Sequence, residues 1–177
     1  MAGQSSTTNT TSTTSTTSGA TASAQHTPPP AVAAAAAFLA SRPVWQVCYL
    51  SGLAAGAVTE IWGLAARTAG VPMKAAGLGS HHATAITVGM FALGTMVVVF
   101  WFTFITAAIA RLSRRPARLY VRITVPLAFL SLLVPGTAAD TAVSTKLVLA
   151  AAHLLAAAVI IPSVTYRLAR VTADPVA

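Results

Sequence analysis

The run KLVLAAAHLLAAAVIIP, Lys146 to Pro162, decides how this chain is read. Between its terminal lysine and proline, His153 is the one polar side chain. Extended to roughly residues 142–164, the segment reaches the ~20 apolar residues that a helix needs to cross a bilayer's hydrocarbon core. Three further segments share this character, at roughly 44–66, 83–110 and 119–139. The second is long enough to tilt or to project beyond the core. The third carries Arg122, Pro126 and Pro135, so a bend is expected near Pro126 and an end near Pro135-Gly136. The fold class is therefore all-α, a four-helix transmembrane bundle over residues 42–170.

Composition supports lipid as the solvent. Of 177 residues, 55% are hydrophobic and 8% charged, against about 25% charged in soluble domains. Mean hydropathy is +0.73. The net charge of +8 does not indicate a nucleic-acid partner, because no basic stripe with interleaved aromatics occurs. The basic residues instead fall in clusters between the apolar runs. Arg42 precedes the first span. Arg111, Arg114, Arg115 and Arg118 fill the loop RLSRRPAR, and Arg167 and Arg170 follow the fourth span. Four spans place all of these on one side, against Arg67, Lys74 and Lys146 on the other. The positive-inside rule then predicts both termini and RLSRRPAR in the cytoplasm, within a cytoplasmic (inner) membrane. The same four arginines can attract anionic lipid headgroups.

Residues 1–41 read as a Thr/Ser/Ala-rich tail. The first thirty are too poor in apolar side chains to offset backbone entropy and are expected to be disordered. Residues 31–41, AVAAAAAFLAS, can form a short helix that ends at Arg42-Pro43. Residues 171–177 are a short C-terminal tail.

Helix three carries LSLLVPG, Leu130 to Gly136, with Ser131 four residues before Pro135. Helix four carries HLLAAAVIIPSVTYRLAR, His153 to Arg170, and the basic RRPAR precedes both. In this order the chain resembles, over roughly residues 42–170, a family of small bacterial four-helix membrane proteins known only as a domain of unknown function. The resemblance implies the four-helix membrane fold. It supplies no activity and no catalytic residues.

Ionisable groups inside a bilayer are costly and mark candidate sites. Glu60 and His153 are the two that cannot be placed at helix ends. By a rise of ~1.5 Å per residue, Glu60 falls roughly 5–8 Å outward of its span's midpoint and His153 near the middle of its own. Ser131 falls slightly outward, so Glu60, Ser131 and His153 can share a layer. Paired, they would line a small polar cavity in which histidine shuttles a proton or senses pH. The structural alternative is a histidine bonded to a serine or a backbone carbonyl, acting as glue. Gly52 and Gly56 form a GxxxG spacing, and Ala150 and Ala157 flank His153; both sets are read as packing surfaces, within the bundle or in a dimer. Trp45 and Trp62 suit the interfacial belt. VVVFWFTF, Val97 to Phe104, should face lipid or the cytoplasmic boundary.

Other chemistry finds little support. His81-His82 lie in the loop TAGVPMKAAGLGSHHA, which has no cysteine or acidic residue to complete a metal site. Its GLG lacks a phosphate-loop continuation. Cys48 is the only cysteine, so no internal disulfide forms. With three acidic residues, Glu60, Asp140 and Asp174, a paired-carboxylate enzyme is not expected. No nucleophile–histidine–acid arrangement, metal or cofactor motif is present. The expectation is a non-enzymatic structural or accessory component. It would sit in the lipid bilayer, as a homo-oligomer or beside a membrane-protein partner. The alternative is a small transporter or proton-responsive channel built on Glu60 and His153.

Overall fold

A computed structural model describes residues 29–76, 82–138 and 140–173. Its elements are α1 (Pro30–Ser41), α2 (Val44–Thr68), β1 (Lys74–Ala76), β2 (Ala83–Ala85), α3 (Met90–Leu112), α4 (Pro116–Ser131), α5 (Leu133–Thr137) and α6 (Val143–Ala173). Four helical stretches are long and apolar enough to cross a membrane: α2, α3, α4 with α5, and α6. The all-α four-span architecture expected from the apolar runs is the one observed. The tail expected to be disordered lies largely outside the described residues. The short helix read from AVAAAAAFLAS is present as Pro30–Ser41.

The spans alternate in direction. Trp62, late in α2, donates from Nε1 to the carbonyl of Val148, early in α6, at 3.0 Å. At the other end, Arg167 Nε of α6 donates to the carbonyl of Arg42, just before α2. Helix α2 packs closely on both α6 and α3, and α4 packs on α6, whereas α3 meets α4 much less.

Small residues explain the α2–α3 contact. The buried face of α2 runs Val47, Cys48, Ser51, Gly52, Ala55, Gly56, Thr59, Gly63 and Ala66, one stripe at helical spacing. A Cβ on Gly52 would lie 2.8 Å from both γ-methyls of Val99, and one on Gly63 would lie 2.8 Å from the Phe91 ring. At Gly56 the space is looser, 3.4 Å from the Ala92 Cα. The GxxxG spacing therefore packs within the bundle, against α3, with Gly63 extending the same face. On α6 the close-packed alanine is Ala152, while Ala150 and Ala157 are half-buried.

The other faces of the spans are apolar and bare. Trp101 is 64% exposed and Phe129 also 64%. In VVVFWFTF only Val99 and Thr103 are fully buried. Lipid is the solvent that such faces require.

Three boundaries differ from expectation. The second span begins at Met90, not near 83, because Ala83–Ala85 pairs antiparallel with Lys74–Ala76. Gly89, at φ +91°, then turns the chain into α3. The third span begins earlier, at Pro116, which suits a first helical turn. It runs on as helix through Pro126 and is interrupted at Leu132. Pro135 accounts for this: it has no N–H for the Ser131 carbonyl four residues back, and its ring crowds that carbonyl. The fourth helix continues to Ala173 rather than ending near 164. Pro162 does not stop it, and Ser163 Oγ donates to the Val159 carbonyl at 2.7 Å beside the gap.

The β-hairpin is strapped to the bundle. Thr145 Oγ1 donates to the Pro72 carbonyl, and Thr141 Oγ1 accepts from the Ala76 amide at 3.2 Å. Met73 is buried against Ala66 and Val148. At the opposite end, around RLSRRPAR, Cys48, Ile109, Tyr120, Val164 and Leu168 form a second buried cluster.

Candidate functional site

Glu60, Ser131 and His153 can now be placed. Glu60 stands on α2 beside the start of α3. Its Oε1 accepts from the Gly89 amide at 2.8 Å and its Oε2 from the Ala92 amide at 3.3 Å. These are orphan donors of the first turn of α3. Gly89, the residue at the cap position, has no side chain to meet them, so a carboxylate from a neighbouring helix does so. Arg67 Nη1 stands 3.8 Å from Glu60 Oε1, an ion pair too long for a hydrogen bond. Arg67 Nη2 donates to the Ile86 carbonyl at 2.6 Å. Glu60 thus ties α2, the hairpin exit and the start of α3 together. Negative charge at the positive end of the α3 dipole is itself favourable.

His153 bonds within its own helix: Nδ1 lies 2.7 Å from the Leu149 carbonyl. Ser131 does likewise, donating to the Ala128 carbonyl at 2.7 Å. Among the described residues neither group bonds to Glu60, so the expected three-way cluster does not form. Ser131 and His153 do line one cavity of about 450 Å³. Glu60 is not part of its wall.

The cavity lies between α3, α4 and α6, with Thr59 of α2 reaching its floor. Val98 and Phe102 of α3, Leu127 of α4, and Ala156 and Ile160 of α6 line it. It occupies the seam where α3 and α4 separate beyond their shared loop. Of the alanines flanking His153, Ala157 lines this space. Sequence reasoning found His153 and Ser131 but not Thr95 and Thr124, which share the wall. Their one signal is a threonine at a helix position that faces neither lipid nor a tight contact.

The loop arginines Arg111, Arg114, Arg115 and Arg118 are all exposed. Arg115 and Arg118 border a shallow recess with Ala117 and Ala169. Trp45 is exposed near the start of α2, while Trp62 also serves as a strut to α6. Of the histidine pair before α3, His81 lies outside the described residues. Among the described residues no group of three or more His, Cys, Asp or Glu is placed to hold a metal.

Residues 39–170 match a family of unknown function, DUF6069, and the chain belongs to it. No curated protein and no solved structure matches the chain. Membership, with the four apolar helices, makes this a multi-pass membrane protein of an uncharacterised family.

Proposed function

We propose that the protein is a non-enzymatic structural or accessory component of the cytoplasmic membrane, with both termini and the RLSRRPAR loop inside. The observation that carries the non-enzymatic part is the use to which Glu60 is put. The one acidic side chain set within a span is engaged by two backbone amides and an arginine. A carboxylate held so is a fastener of helices, and it does not reach the histidine that a proton relay would need.

The orientation rests on where the arginines stand relative to helix dipoles. Arg115 and Arg118 lie at the start of α4, the positive end of its dipole, where cations are disfavoured. Their position therefore does not serve the helix. It suits a cytoplasmic face beside anionic lipid. The exposed apolar faces leave room for a homo-oligomer or a membrane-protein partner.

Single cysteines in a Cys48→Ser background test the orientation. A membrane-impermeant maleimide added to intact cells should leave Ser113→Cys unlabelled and label Ala75→Cys. The reverse pattern overturns the assignment. A pH-gradient assay in proteoliposomes tests the role: wild type should match empty vesicles in proton flux. Flux lost on Glu60→Gln or His153→Ala would favour the channel alternative.

A further inference from the structure

Six polar side chains line the cavity: Thr59, Thr95, Tyr120, Thr124, Ser131 and His153. Four of them have spent their proton on their own helix. Thr59 donates to the Gly56 carbonyl at 3.1 Å, Thr95 to that of Phe91 at 2.8 Å, Thr124 to that of Tyr120 at 2.8 Å, and Ser131 to that of Ala128 at 2.7 Å. Each hydroxyl then offers the cavity oxygen lone pairs and no hydrogen.

His153 completes the pattern. A carbonyl oxygen can only accept, so the 2.7 Å contact to Leu149 requires the proton on Nδ1. In the neutral ring Nε2 is then a bare acceptor. Tyr120 lines the cavity toward its RLSRRPAR end, where it packs with Cys48, Val164 and Leu168. Apart from the Tyr120 phenol at one end, the polar groups of this apolar cavity thus all accept.

From this we infer that the cavity binds a neutral, lipophilic molecule carrying a hydroxyl donor, such as an alkyl phenol or a hydroquinone, with the hydroxyl donating to His153 Nε2. About 450 Å³ is within the range of ordinary small-molecule sites. A ketone or ether of the same shape brings a further acceptor to a wall of acceptors and leaves its oxygen unpaired, which is costly away from water. A protonated amine brings donors, but no carboxylate lines the wall to offset its charge, because Glu60 is engaged at α3. A bare acyl chain gains nothing from the histidine. The inference concerns the chamber alone and stands whichever way the chain is oriented.

The test compares 4-hexylphenol with 4-hexylanisole, which differ by one O-methyl group. Both are titrated against the full chain in phosphatidylcholine nanodiscs, with empty discs to subtract partitioning. The phenol should bind roughly fivefold more tightly, the worth of one neutral hydrogen bond. His153→Leu should erase that preference while retaining the apolar binding. Ala156→Phe, which fills the chamber, should weaken both ligands. Equal affinities in the wild type overturn the inference, whether or not the variants fold. A preference that survives His153→Leu, or binding unmoved by Ala156→Phe, also overturns it.

Discussion

Replacing Glu60 should loosen the start of α3 and the α2–α3 pairing with it. Three losses add up. An N-terminal cap is worth about 1 kcal/mol. Here the cap comes from another helix, and the loss falls on the Gly89 and Ala92 amides. A negative charge at a helix start contributes about 0.5–1 kcal/mol more. The pair with Arg67 spans 3.8 Å between side chains 15% and 21% exposed. It is therefore partly screened and merits about 0.5 kcal/mol. Glu60→Ala should cost about 2 kcal/mol in all, following these capping, dipole and ion-pair terms. Glu60→Gln keeps one acceptor oxygen and should cost about half as much. Unfolding in detergent micelles titrated with dodecyl sulfate, followed by circular dichroism, would read the ranking. Amide exchange at Gly89 and Ala92 would localise it, with protection falling there and holding in the middle of α6. If Ala and Gln variants both lose under about 0.5 kcal/mol, or if those amides exchange no faster, the capping role is wrong.

The glycines of α2 should separate in the same assay. Gly52→Ala drives a Cβ to 2.8 Å from the stiff, β-branched Val99 and should destabilise by about 1–3 kcal/mol. Gly56→Ala meets only a 3.4 Å contact and gains up to ~1 kcal/mol of helix propensity, so it should be neutral or stabilising. Trp62→Phe removes the 3.0 Å bond to the Val148 carbonyl and should cost about 0.6 kcal/mol, the average for interhelical bonds in membranes. Thr145→Val keeps the shape but removes the hydroxyl bound to Pro72. Proteolysis between the strands should then speed up, while the unfolding midpoint moves by less than for Glu60→Ala.

Much of this fold was legible because a bilayer makes one demand of sequence above others, an apolar run of sufficient length. All four runs answer to it in the structure. Errors gathered where local pairing competes with that signal. Ala83-Thr84-Ala85 is apolar enough to extend a span, yet its backbone bonds go to Lys74–Ala76, and no hydropathy reading registers that choice. Pro126 and Pro135 look alike in sequence, but the interruption at Leu132 belongs to the second. Gly52 and Gly56 marked a close helix face correctly. Gly63 continues it seven residues on, outside the four-residue motif. The candidate site was half legible. His153 and Ser131 are polar residues in apolar runs, and both reach one cavity. Glu60 stood out for the same reason, but its partners are backbone amides 29 and 32 residues away. Such partners carry no side-chain signature. A clue was available in Gly89, a glycine opening an apolar helix with no Ser, Thr, Asp or Asn to cap it.

The position of the cavity follows from how side-chain bulk is shared among the helices. On α2 the face toward α3 is glycine, alanine, serine and threonine, so those two backbones approach closely and α3 is drawn to that side. Its bulky residues, Phe100, Trp101 and Phe104 among them, are left on the bare surface. The loop RLSRRPAR nevertheless ties α3 to α4, and beside it Ile109 and Ala110 of α3 share one packed cluster with Ala117 and Tyr120 of α4. Past that point α4 follows α6, the helix on which it packs more extensively. Two helices joined at one end and drawn to different partners must part, and the space between them is walled by whichever residues then lack a close neighbour. In a membrane, hydroxyls in that position turn to their own carbonyls, since no water is at hand to bond them. The acceptor lining of the chamber is thus a consequence of the seam itself. His153 is the exception among these groups: its second nitrogen cannot be satisfied within its own helix, and so it is left for an occupant.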